Sequence, residues 1–192
     1  MNGGRPPSLA RPGVSLLWSL TLAACSAPTA GVHDGDGRIV DPRVVPTGCV
    51  HVVVFTSHEC PIANGYAPTL QELARVHTAP AVRWFFVHVD PDLEVAAARD
   101  HAQSYGLPGT LLFDRRHDLA SALQVTKTPE VVVLSGNEVC YRGRIDDQWR
   151  ALGTRGAATQ QDLAQAIERA RRGQATPAPW PAAVGCLLPE PR

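Results

Sequence analysis

The sequence predicts an α/β sandwich of three layers, with helices covering both faces of a central mixed β-sheet. Two apolar, β-branched runs at 49–56 and 82–89 flank an amphipathic stretch, which is the pattern of a β-α-β unit. Such a unit closes with parallel strands and a right-handed crossover. Two further runs, 130–134 and 138–143, are joined by Ser135-Gly136-Asn137, so they form an antiparallel hairpin. Parallel strands followed by an antiparallel hairpin make the sheet mixed.

Each element follows in order. The strand at 49–56 leads through Cys60 into a helix from Pro61 to about Val76, where Pro61 suits a first helical position because its missing N–H needs no partner. Ile62, Tyr66, Leu70 and Leu73 form its apolar stripe, and Pro68 kinks it. The strand at 82–89 ends at Asp90-Pro91-Asp92, which is read as the cap of a helix reaching about Tyr105. Gly106-Leu107-Pro108-Gly109 breaks the chain before a short strand at 111–113, and 118–124 is a short helix. A last helix spans about 160–172, with Leu163, Ala166, Ile167 and Ala170 as its buried stripe. Thr159 and Asp162 are read as its capping box.

Length and composition fit one domain with appendages. Apolar content is 44%, and 18 basic residues balance 18 acidic ones, so charge gives no ground for nucleic acid as a partner. Arg5, Arg11 and the apolar run 14–24 read as an export signal over 1–24. The run ends in Leu22-Ala23-Ala24-Cys25, which resembles a bacterial lipobox. That resemblance implies lipid on Cys25 and a membrane-anchored lipoprotein facing the periplasm or cell exterior. Residues 25–46 read as a tether with a short hairpin near Gly35-Asp36-Gly37, 47–173 as the domain, and 174–192 as a proline-rich tail.

Cys60 is the leading candidate nucleophile. It stands where a buried strand gives way to a helix, and backbone N–H groups at such a terminus favour a thiolate. Outside the cytosol disulfides persist, and Cys49, Cys60, Cys140 and Cys186 are available to form them. Cys49 and Cys140 lie in apolar strand contexts and read as core thiols, kept apart by the strand at 130–134. Cys186, in the tail, is the candidate partner of Cys60.

This order, with Cys60 at the first strand-helix junction, Ala67-Pro68 in the following helix and Thr128-Pro129 before a core strand, resembles the thioredoxin fold. The resemblance covers about 45–172 and implies a cis-proline at Pro129 facing the redox cysteine. The stretch from Glu59 to Pro68, Thr128-Pro129-Glu130, the run 141–147 and Gly185-Cys186 are similar to exported bacterial redoxin-domain proteins. Those sit near peroxiredoxins and thiol-disulfide oxidoreductases. The resemblance implies thiol-disulfide chemistry by Cys60, with Cys186 or an external thiol as resolver. It also implies protein or small-molecule thiols and disulfides as partners, with Thr128, Pro129 and Pro61 lining the substrate position.

Neither cofactor nor metal is called for. The chain departs from the dithiol motif, since Ala63 stands where a second cysteine would be. It departs from the peroxiredoxin pattern at Val53, which replaces a proline. The alternatives are a peroxiredoxin-like thiol peroxidase and a non-catalytic binding module or copper chaperone. His58-x-Cys60 suggests the chaperone, although Asn64 stands where copper chaperones of this fold carry a second cysteine.

Overall fold

The computed structural model describes residues 1–3, 31–78, 80–136 and 138–191; the apolar run 14–24 of the export signal and Cys25 lie outside them. The strands are β1 (Val32–Asp34), β2 (Ile39–Val40), β3 (Val50–Thr56), β4 (Val82–His88), β5 (Thr110–Phe113), β6 (Lys127–Thr128), β7 (Glu130–Ser135), β8 (Glu138–Gly143), β9 (Trp149–Ala151), β10 (Thr154–Arg155) and β11 (Cys186–Leu187). The helices are α1 (Pro61–Gly65), α2 (Ala67–Val76), α3 (Val95–Ser104), α4 (Asp118–Ala122) and α5 (Asp162–Arg171).

Among the described residues the main sheet runs β2-β1-β5-β4-β3-β7-β8. Strand β3 pairs parallel with β4 and antiparallel with β7, so the sheet is mixed as the sequence predicts. Every residue of β3 is buried, His51 and Thr56 included, as expected of a central strand covered on both faces. Val50, Val52 and Val54 pack with Ile62, Leu70, Leu163 and Ile167, while Val53 and Phe55 pack with Leu119, Ala120 and Val132. That alternation puts α1, α2 and α5 on one face and α4 on the other.

The structure differs from the sequence reading in four places. The helix after Cys60 breaks at Tyr66, giving α1 and α2; Pro68 stands in the first turn of α2, where no N–H is needed. The hairpin read near Gly35-Asp36-Gly37 is present over 32–40, but it is no loose tether: β1 pairs antiparallel with β5, giving that sheet edge a partner. Asp90 does not cap α3, whose N-cap is Glu94 without a side-chain bond. The α5 capping box is likewise not formed. Asp147 instead accepts from the Thr159 and Gln160 N–H groups.

Candidate active site

The register of the sheet builds the site. Phe55 of β3 pairs with Glu130 of β7, so Thr128 and Pro129 arrive beside the end of β3, where Cys60 follows. The Thr128–Pro129 peptide is cis. Pro129 is buried, and Pro61 is exposed on the other side of Cys60. The Cys60 thiol lies 3.1 Å from the Thr128 carbonyl. Residues 174–191 do not hang free. Thr176 N–H donates to Cys140 O, Arg144 N–H to Pro181 O, and the Trp180 ring packs against Tyr141 and Arg142. This strap then crosses the proline loop, where β11 pairs antiparallel with β6 and Cys186 stands opposite Thr128.

The two sulfurs consequently lie 2.7 Å apart. Cys60 is only 2% exposed, and Cys186 is half-buried. Burial pushes the Cys60 thiol up. Hydrogen bonds from the Cys186 thiol, the Ala63 and Cys186 N–H groups and the Thr128 side chain outweigh it, so Cys60 ionises below its ordinary value. Cys186 moves the opposite way. Burial and the neighbouring Cys60 raise it to about 11. The two thiols are thus shifted in opposite directions, Cys60 toward the thiolate and Cys186 toward the thiol.

Behind Cys60 a polar clamp holds the approach loop. The Asp90 carboxylate accepts from Ser57 Oγ at 2.6 Å and from the His58 N–H at 3.2 Å, and it lies 3.1 Å from His58 Nδ1. Burial raises the Asp90 carboxyl, but His88, Ser57 and His58 together hold it well below the usual carboxylate range. Asn64 Nδ2 donates to the His58 carbonyl at 3.0 Å, and Asn64 Oδ1 meets His101 Nε2 at 2.8 Å. Burial, then His88 and His58, depress the His101 imidazole to about 4. The sequence reading weighed His58 and Asn64 beside Cys60 but missed Asp90, because Asp90-Pro91 reads locally as a helix start, and His101, which reads as a helix-face residue. Asp146, from the run 141–147, accepts from Tyr66 OH at 2.8 Å, and Arg144 pairs with Asp162; both brace the framework.

Cys49 and Cys140 stay away from the site. Cys49 precedes β3, Cys140 is buried in β8, and β7 lies between those strands. Burial raises the Cys140 thiol. Among the described residues no three His, Cys, Asp or Glu side chains converge to hold a metal ion.

A strand-end cysteine beside a proline loop in this topology can be compared with known proteins. The AhpC/TSA family matches residues 23–145. The chain belongs to that family. No curated protein matches it in sequence. Among solved structures, an uncharacterized conserved protein from Geobacillus kaustophilus shares 20% identity with a TM-score of 0.69, covering 82% of this chain and 86% of its own. A hypothetical protein from Sinorhizobium meliloti shares 19%, with a TM-score of 0.64 and coverage of 82% and 88%. A secreted Mycobacterium tuberculosis disulfide oxidoreductase shares 21%, with a TM-score of 0.54 and coverage of 72% and 93%. These likenesses show a thioredoxin-like redoxin fold.

Proposed function

We propose that this redoxin is an exported thiol-disulfide oxidoreductase whose working couple is Cys60 and Cys186. The observation that carries this reading is the 2.7 Å separation of two oppositely polarised sulfurs. The Cys60 thiolate attacks one sulfur of a substrate disulfide, and the electron pair of the broken bond leaves on the other substrate sulfur. Cys186 gives up its proton and attacks the Cys60 sulfur of the mixed disulfide. The second substrate thiolate departs, and Cys60–Cys186 becomes a disulfide. The substrate has gained two electrons, and an external dithiol restores the couple. Substrates are protein or small-molecule disulfides, and no cofactor enters. Lipid on Cys25 would tether the domain outside the cytosol; the apolar run ending at that cysteine supports this.

The test is reduction of a mixed-disulfide reporter. Cys60→Ser is expected to lose at least a hundredfold in rate, and Cys186→Ser to accumulate an adduct on Cys60. Full turnover by Cys60→Ser would sink the reading. Family membership favours one alternative, peroxide reduction. There the Cys60 sulfur attacks one peroxide oxygen, the O–O bond breaks and the other oxygen leaves as water or an alcohol; Cys186 then condenses with the sulfenic acid, releasing water and forming the Cys60–Cys186 disulfide. Peroxide consumption exceeding disulfide reduction would select that alternative.

A further inference from the structure

We infer that residues 185–188 are a displaceable built-in occupant of the site where a protein substrate reaches Cys60. This rests on the proposed redox role of that cysteine. Three observations carry it. First, β11 covers Cys60, which is 2% exposed, and uses the backbone edge of β6 that an extended peptide would otherwise pair with. The occupant presents a cysteine sulfur to Cys60, as a peptide substrate must.

Second, the seat has a steric requirement. A Cβ on Gly185 would drive into the Thr128 carbonyl, so only glycine fits immediately before the cysteine. Third, the seat is lightly held. Beyond Ala183, which is buried, the described strap is held by the two-residue β11–β6 pair, the Leu188 N–H to Thr126 O at 3.3 Å, the sulfur contact, and the partly buried Val184 and Leu188 side chains, which rest on the two core clusters. Leu187 is 75% exposed and anchors nothing. Trp180, held by Tyr141 and its own bond to Thr176 O, Pro181, whose carbonyl takes the Arg144 N–H, and the buried Ala183 mark the fixed end beyond which the outer segment swings.

A folded protein disulfide therefore reaches Cys60 only when 185–188 leave. The incoming segment takes the same antiparallel register, with glycine ahead of its cysteine.

The experiment measures access and not turnover. Reduced full-length protein carrying Cys186→Ser is alkylated with iodoacetamide, and Cys60 is followed by peptide-resolved mass spectrometry. The limiting rate at high pH reports access, since ionisation is then complete. Adding Gly185→Ala, or separately Leu188→Pro to remove the bond to Thr126, should raise that rate at least tenfold. Cys140, buried in β8, reports unfolding in the same sample. Faster Cys60 with unchanged Cys140 supports the strap. Equal Cys60 rates in all three proteins, or a parallel rise at Cys140 in both added variants, overturns it. Failure of the redox reading would appear elsewhere, as a wild-type chain in which mild oxidation joins no Cys60–Cys186 bond.

Discussion

Replacing Cys186 with alanine removes the thiol that faces the Cys60 sulfur, and Cys60 should then ionise less readily. Two effects compete. Burial is the largest influence on Cys60 and opposes the thiolate, so any water admitted by the missing sulfur would favour ionisation. The lost donor acts the other way. A hydrogen bond to a charged group contributes about 1.5–3 kcal/mol, and a thiol is a weak donor, so about 1 kcal/mol is a fair magnitude here. The gap left by one sulfur is small, because the backbone pairing of β11 with β6 remains. The lost donor therefore outweighs the admitted water, and about 1 kcal/mol is roughly a fivefold fall in the ionisation constant of Cys60. Cys186→Ser keeps a donor and should stay within about twofold of wild type. The assay is the pH dependence of Cys60 alkylation, normalised to each protein's limiting rate at high pH. A Cys186→Ala profile that coincides with wild type, or shifts to lower pH, would refute the donor role.

Three other outcomes are expected. Asp90→Asn leaves one acceptor oxygen for the Ser57 hydroxyl and the two His58 groups, so a buried donor loses its partner. That costs about 2–3 kcal/mol and lowers the melting temperature by roughly 5–10 °C, and an unchanged thermal melt would disprove the clamp. Acid should destabilise the fold through His101. The unfolded chain takes a proton near the ordinary value of 6.5, whereas burial, His88 and His58 delay it to about 4 in the native state. The stability is thus complete above 6.5 and is lost as pH falls toward 4, by about 1–2 kcal/mol after allowance for solvent screening. His101→Gln, which cannot titrate, should flatten chemical denaturation midpoints across that window, and an identical slope would argue against it. Joining Cys60 to Cys186 closes a loop between residues 126 apart, an entropic gain of at most about 5 kcal/mol. Oxidised protein should melt at least about 5 °C above reduced protein by calorimetry, and equal melts would contradict the pairing.

The sequence made the centre of the site legible and its surroundings much less so. Cys60 was visible because a strand end and a helix start are both local patterns, and Pro129 because it precedes the run Val131-Val132-Val133. The contact of Cys186 with Cys60 depends on a two-residue strand, too short to leave any periodic signal. Its one local trace is Gly185, and a lone glycine does not say which backbone approaches it. Asp90 was misread for a different reason. Asp-Pro is an ordinary helix-start pair, but here the carboxylate is taken by Ser57, 33 residues away. The hairpin at 32–40 was legible at its glycine turn, but its docking was not, because its strands are short and partly polar and only the free edge of β5 gives them a place. Long-range pairing, and not propensity, decided each of these.

Ala63 is the residue that links the redox chemistry to the strap. In a Cys-x-x-Cys helix the second sulfur rides on the same rigid element as the first, so oxidation moves little else. Here the helix position is a buried alanine, and the second sulfur arrives on β11. Bond formation and strap seating then become one event. Once the bond forms, β11 cannot leave β6. Once it is reduced, the seat depends on a two-residue pair, which is marginal by itself in water. Reduction is also the state in which Cys60 is a nucleophile. On the proposed Cys60–Cys186 couple, the reduced site can open to a protein disulfide, and the oxidised site stays closed over Cys60.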